Sequence, residues 1–139
     1  MEPINPPRHI VITQSHWHTM REHVGSLAPE EGCGILAGLD GRCTSVIPLS
    51  NALHSATRYA VAAEELLHVF ASLEGKQWDL LAIFHSHPHG EARPSAIDIE
   101  EAYYPRSAYL ILAPEGDTWI CRAFLIQDRK VSEIPLRVV

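Results

Sequence analysis

The sequence predicts a mixed α+β domain, with several strands and at least three helices. Three observations lead there. Short apolar runs, above all Leu80-Leu81-Ala82-Ile83-Phe84, have the length and composition of buried strands. Residues 16–27 instead repeat their apolar side chains at helical spacing, through Trp17, Met20, Val24 and Leu27. Turn signals separate the two kinds of segment, and Asp40-Gly41 between two apolar runs is a strong hairpin signal. At 139 residues the chain has the size of one domain, spanning 1–139, large enough to bury a core without staples.

Taken in order, residues 1–8 carry three of the ten prolines and are expected to form an extended lead-in. Residues 9–13 read as a first strand. Ser15 is the expected N-cap of a helix over 16–27. His16, His18 and His23 fall on that helix and read as solvated or half-buried polar positions. Residues 28–30 break it. Residues 33–39 form a buried strand, and 42–49 return from the turn. A polar loop over 50–55 leads to a short strand at 58–61 and a helix over 62–73. Leu66, Phe70 and Leu73 share one face of that helix, and Gly75 stops it. Residues 79–84 are the central strand. A third helix runs over 95–104, closed by Pro105. Strands over 107–113 and 118–127 follow, joined by a turn at 114–117. A turn at 128–130 then leads to a final strand or tail over 131–139. There are no internal repeats, linkers or low-complexity segments.

Composition excludes several classes of function. The net charge is −6 and the Lys and Arg residues are scattered, so a phosphate backbone is not an expected partner. No apolar run approaches the ~20 residues of a membrane span. The N-terminus lacks a basic region followed by an apolar one, so no signal peptide is expected and the location is read as cytoplasmic. Cys33, Cys43 and Cys121 are widely spaced without a CxxC, so neither a disulfide framework nor a thiolate metal site follows; small buried residues are expected. Nine histidines in a chain of this length invite a search for a metal.

His85 and His87 leave the end of the central strand and, two residues apart, project to the same side. Asp98 follows after a short loop. Two His and one Asp offer three N/O ligands and leave a fourth position open, as a hydrolytic zinc site requires. Each residue also has a bland reading. Ser95-Ala96-Ile97-Asp98 fits a helix-capping pattern, and either histidine alone is an ordinary polar residue at a strand end. Their combination is a rare coincidence on that reading. Glu31 precedes a different strand, from which the fold can bring a proton-accepting carboxylate to the metal. Spacing alone leaves this open.

The stretch His85-Ser86-His87-Pro88, six residues, then Ser95-Ala96-Ile97-Asp98 resembles the signature of the JAMM (MPN+) zinc metalloproteases. Upstream, Glu31-Gly32-Cys33-Gly34-Ile35-Leu36-Ala37-Gly38 is similar to that family's Glu-x-x-Gly-x-x-x-Gly segment, with Glu31 in register and Glu30 out of it. The fold so implied is a single MPN/JAMM-like α+β domain, a mixed curved β-sheet flanked by about three helices. The resemblance implies one zinc ion per chain, held by His85, His87 and Asp98. It implies Glu31 as general base and acid, and Ser95 as hydrogen-bond donor to the oxyanion. Ser86 points away from its neighbours and reads as a supporting residue; His89 reads as a solvated loop residue.

The chain is similar to the compact prokaryotic branch that acts on small sulfur-carrier proteins of ubiquitin fold. The expected partner is such a carrier with a Gly-Gly tail, and the expected reaction is amide hydrolysis after that tail with release of cysteine. A homo-oligomer is compatible with the sequence. Two other readings compete. An inactive scaffold of this fold lacks the metal ligands. A non-haem iron oxygenase also uses two His and a carboxylate, but gives Glu31 no role.

Overall fold

The computed structural model describes residues 1–139. It contains eight strands and three helices: β1 (Ile10–Ile12), α1 (Gln14–Leu27), β2 (Cys33–Leu39), β3 (Arg42–Leu49), α2 (Ala63–Lys76), β4 (Asp79–Ser86), α3 (Ala96–Glu100), β5 (Ala108–Glu115), β6 (Thr118–Gln127), β7 (Lys130–Ile134) and β8 (Leu136–Val138). All strands join one mixed sheet in the order β7-β6-β5-β4-β2-β3-β1-β8. The β1–β3, β1–β8 and β4–β5 pairs are parallel and the others antiparallel. The sheet is strongly curved. Its two edge strands, β7 and β8, are consecutive in sequence with only Pro135 between them, so the two edges must nearly meet.

The two faces of the sheet bury different cores. Met20 and Val24 of α1 pack with Leu36, Phe84, Leu110 and Leu112 on one face. Val69 and Leu73 of α2 pack with Cys33, Ile35, Ile83 and Tyr109 on the other. Strand alternation divides the residues between them: Ile35 and Ile83 go to the α2 side, Leu36 and Phe84 to the α1 side. His85 and His87, in step with Ile83, therefore leave β4 on the α2 side. Gly34 is required by close packing, since a Cβ there would collide with the Phe84 ring.

The Asp40-Gly41 hairpin forms as expected, with both residues at positive φ. Several boundaries differ from expectation. The N-cap of α1 is Thr13, not Ser15. Thr13 Oγ1 accepts the His16 N–H at 3.1 Å, and His16 Nδ1 accepts the Thr13 N–H at 3.1 Å. His16 is thus the reciprocal partner of a capping box, a place usually held by Glu or Gln. Helix α2 runs past Gly75 and stops at Gln77, which takes the left-handed conformation itself.

Residues 58–61 do not form a strand, because their polar groups are claimed elsewhere. The Ala60 N–H donates to Asn51 Oδ1, the Ala60 carbonyl accepts the Ala52 N–H, and the Arg58 carbonyl accepts Asn51 Nδ2–H. Helix α3 is only five residues long. Pro105 disfavours helix at Tyr104, whose ring turns instead onto Phe70. The C-terminal stretch is two strands at opposite edges of the sheet, split by Pro135. No helix is long and apolar enough to cross a membrane.

Candidate metal centre

The site forms where β4 ends. His85 Nε2 lies 3.1 Å from His87 Nε2 and 3.1 Å from Asp98 Oδ2, and His87 Nε2 lies 3.0 Å from the same oxygen. The strand delivers the two imidazoles and α3 delivers the carboxylate. The start of α3 is fixed by a capping box: Ser95 Oγ accepts the Asp98 N–H at 3.1 Å, and Asp98 Oδ2 accepts the Ser95 N–H at 2.9 Å. The capping reading of Ser95 and Asp98 is therefore compatible with the metal reading of Asp98, and the cap holds the carboxylate in place.

The donor set fits a divalent cation. His87 donates its Nδ1–H to the Glu91 carbonyl at 2.8 Å, so in the neutral ring Nε2 carries the lone pair. That lone pair faces the lone pairs of a carboxylate oxygen and lies against a second imidazole nitrogen. The arrangement is repulsive unless a cation lies among the three atoms or His85 carries a proton on Nε2, whose ring-mate Nδ1 is buried without a partner. Ligands of a tetrahedral ion bonding at ~2.1 Å stand about 3.4 Å apart, close to the separations seen here. In the chain alone, a proton serves that purpose. Burial disfavours the His87 cation, but hydrogen bonds to Asp98 and the Glu91 carbonyl and the nearby charges outweigh it and raise its pKa. His85 is fully buried and its pKa is lowered by that burial, against the pull of Asp98. Burial works against the Asp98 carboxylate too, yet the two imidazoles and the Ser95 N–H hold its pKa far below the usual range.

Glu31 meets this group from the segment just before β2. Its carboxylate and the two His nitrogens lie within 4.8 Å of one another, a looser set than His85, His87 and Asp98. The tighter triad has the spacing of direct ligands, and the looser one leaves room for a small molecule between Glu31 and the imidazoles. Glu31 is 3% exposed and its Oε1 has no hydrogen-bond partner. Burial pushes its pKa up to about 7, with the Asp98 charge helping and the His87 charge opposing.

Long-range backbone contacts fix Glu31. Its N–H donates to the Ser55 carbonyl at 2.8 Å, and its carbonyl accepts Asn51 Nδ2–H at 3.0 Å. Next to it, the Gly32 N–H donates to Ser86 Oγ at 2.8 Å, so the residue between the two histidines ties β4 to the Glu31 segment. Sequence reasoning missed Asn51, a buried hub whose amide also serves Ser55, Arg58, Leu53 and Ala60. It also missed Tyr59, whose ring stacks on His85 with centroids 4.6 Å apart.

Other candidates have structural explanations. Glu30 pairs with His54 at the surface at 2.9 Å. His23 Nε2 clasps the Cys33 and Leu49 carbonyls at 2.9 and 3.0 Å, joining α1 to the sheet. Cys33 stands opposite His85 in the sheet, but burial and the nearby carboxylates push its thiol up to about 12, which leaves it inert. All three cysteines are free. His89 is exposed and shares an open cleft of about 440 Å³ with Glu31, His87 and Ser95.

The profile of prokaryotic homologs of the JAB domain matches residues 13–126, which include every residue of this centre. The chain belongs to this JAB family. It is 34% identical over 125 residues to the CysO-cysteine peptidase of Mycobacterium tuberculosis, covering 88% of this chain and 82% of that protein. It is 39% identical over 119 residues to a probable TtuB-protein conjugate cleaving protease of Thermus thermophilus, covering 85% and 73%. A solved structure of a protein from Desulfitobacterium hafniense superposes with a TM-score of 0.84 at 32% identity, over 94% of this chain and 92% of that one. The single, curved, mixed-sheet domain with three helices is the JAB-type fold expected from the sequence.

Proposed function

We propose that this chain is a zinc-dependent peptidase that hydrolyses the amide bond after the C-terminal Gly-Gly tail of a small ubiquitin-fold sulfur-carrier protein, releasing cysteine. The carrying observation is the meeting of His85 Nε2, His87 Nε2 and Asp98 Oδ2 at 3.0–3.1 Å while Nδ1 of His87 is committed to a carbonyl. The names of the relatives, a peptidase for CysO-cysteine and a protease for TtuB conjugates, support the substrate class.

On this reading His85, His87 and Asp98 hold one zinc ion per chain. Bound there, zinc supplies a Lewis acid that makes water a competent nucleophile near neutral pH. Glu31 accepts the proton of the attacking water and passes it to the leaving amine, from a buried position within reach of the imidazoles. Its backbone is pinned at both N–H and carbonyl, which keeps the carboxylate aimed without a bond to its own oxygens. Ser95 Oγ accepts the Asp98 N–H, so its hydroxyl proton is free to donate to the oxyanion that forms on the substrate carbonyl. The extended tail lies in the cleft lined by Glu31, His87 and Ser95.

Purified protein incubated with a ubiquitin-fold carrier ending in Gly-Gly-Cys tests this by intact-mass spectrometry, alongside metal analysis. The expected result is one zinc per chain and a carrier lighter by one cysteine residue, with hydrolysis abolished by a chelator. Undiminished hydrolysis by fully metal-stripped protein would overturn the zinc reading, and an unchanged carrier mass the substrate reading.

A further inference from the structure

We infer that Arg93 is a specificity residue that binds the free α-carboxylate of the amino acid being released, so that the site selects a single terminal residue over a lysine isopeptide or an internal peptide. This rests on the peptidase reading above and names the chemistry of its leaving group.

The cleft that holds Glu31, His87 and Ser95 is also lined by Arg93, the one side chain there with a permanent positive charge. Its backbone is fixed to the metal centre. The Arg93 N–H donates to the Glu91 carbonyl at 2.9 Å, and the same carbonyl accepts the His87 Nδ1–H at 2.8 Å. Ala92, between them, is 4% exposed and anchors the loop. Pro94 restricts the Arg93 backbone from the other side and leads directly into the Ser95 cap. The chain thus holds the Arg93 Cα in a set position relative to His87 and Ser95, while the guanidinium stays at the surface of the cleft.

That guanidinium is available. Its ionic partner is Glu91, with Nε to Oε2 at 2.9 Å, and the two side chains are 65% and 75% exposed. Such an exposed pair is weak and opens readily to an incoming carboxylate, which a guanidinium can bind with both arms of its fork.

The substrate classes differ in what they offer. In an amino acid joined through its α-amine to a Gly-Gly tail, the carboxylate carbon is two bonds from the scissile nitrogen and enters the cleft with it. Beside a lysine ε-amine the same space holds an uncharged methylene chain. In an internal peptide it holds a neutral amide. The terminal amino acid alone presents an anion to Arg93.

The test uses a ubiquitin-fold carrier ending in Gly-Gly, ligated either to cysteine with a free acid or to cysteinamide. For the zinc-loaded wild-type protein, kcat/KM should favour the acid by about tenfold, mostly through KM, the scale of one charge-assisted hydrogen-bonded pair. In Arg93→Ala the acid-to-amide ratio should fall to near one, and Arg93→Lys should recover part of it. In parallel, N-acetyl-Gly-Gly-Cys as acid or amide is titrated calorimetrically into wild type and Arg93→Ala, each carrying Glu31→Gln to slow turnover. The acid should bind more tightly only where Arg93 is present. An acid-to-amide ratio near one in the wild type, or one unchanged by Arg93→Ala, would overturn the inference and leave the peptidase reading standing. If neither ligated carrier is cleaved, the peptidase reading falls, and equal calorimetric affinities for acid and amide would overturn the role of Arg93 as well.

Discussion

The two walls of the candidate centre are built in opposite ways. On one wall, His85, His87, Ser95 and Asp98 lie within fourteen residues of sequence and hold one another directly, the two imidazoles and the Asp98 carboxylate side chain to side chain and Ser95 through the reciprocal cap with Asp98. On the other wall, Glu31 has no partner for its Oε1 and is fixed only through its backbone, by Asn51 and Ser55, with Ser86 holding the adjoining Gly32. The difference matches the work proposed for each. Ligands need a geometry that does not change during the reaction, so mutual contacts suit them. A group that takes and returns a proton needs an aimed carboxylate whose oxygens stay unengaged, and backbone anchoring provides that.

The strongest way to break the comparison is to remove a ligand. His87→Ala should lose bound zinc and all measurable turnover together, because two remaining ligands do not retain the ion at ordinary concentrations. Metal analysis and carrier hydrolysis on one preparation check this, and retained stoichiometric zinc would mean that His87 is not a ligand. Ser95→Ala should retain zinc and lower kcat by about 10²–10³-fold through the lost oxyanion donor. It should also cost about 1 kcal/mol of stability through the lost cap, read from denaturant unfolding. A stability loss with unchanged kcat would leave Ser95 as a cap alone.

The Glu31 wall should respond differently. Asn51→Ala removes the amide that serves the Glu31, Arg58 and Ala60 backbones. It should cost about 1–3 kcal/mol of stability and lower kcat about tenfold while zinc content is unchanged. Loss of zinc in this variant would show that the two walls are not separable.

The smallest expected effect concerns the metal-free protein. Burial raises Glu31 from 4.5 to about 7. A group whose folded pKa is raised contributes stability that is fully present below its unfolded value and is lost as pH rises through the folded one. Metal-free wild type should therefore lose stability relative to Glu31→Gln between about pH 5 and 8, by up to about 3 kcal/mol, the equivalent of that shift. Unfolding midpoints across that range check it, and a difference that does not change with pH would contradict it.

The clustering of His85, His87 and Asp98 was legible in the sequence and the Glu31 wall far less so, for one physical reason. A His-x-His at a strand exit and a Ser-x-x-Asp at a helix start encode their own geometry, because strand alternation and helix capping are local rules. Glu31 stood out through a resemblance, since nothing in its spacing shows that β2 pairs with β4 and sets Cys33 opposite His85. Asn51 and Tyr59 left no local signal: one acts across twenty residues and the other stacks on a ring twenty-six residues away. Residues 58–61 have strand-like composition, yet Asn51 and Ala52 take their hydrogen bonds first. The fold followed the same division. The Asp-Gly hairpin and the α1 stripe were read from local pattern, whereas the near-meeting of β7 and β8 across Pro135 is a property of the whole curved sheet.

The central claim is that the ligands and the proton carrier are separate residues. Glu31→Gln tests it most directly, with zinc content and hydrolysis of the carrier ending in Gly-Gly-Cys measured on the same sample. The expected result is one zinc per chain, as in the wild type, and kcat lowered by about 10²–10⁴-fold. Zinc lost along with activity would make Glu31 a ligand, and turnover within a few-fold of wild type would remove it from the chemistry.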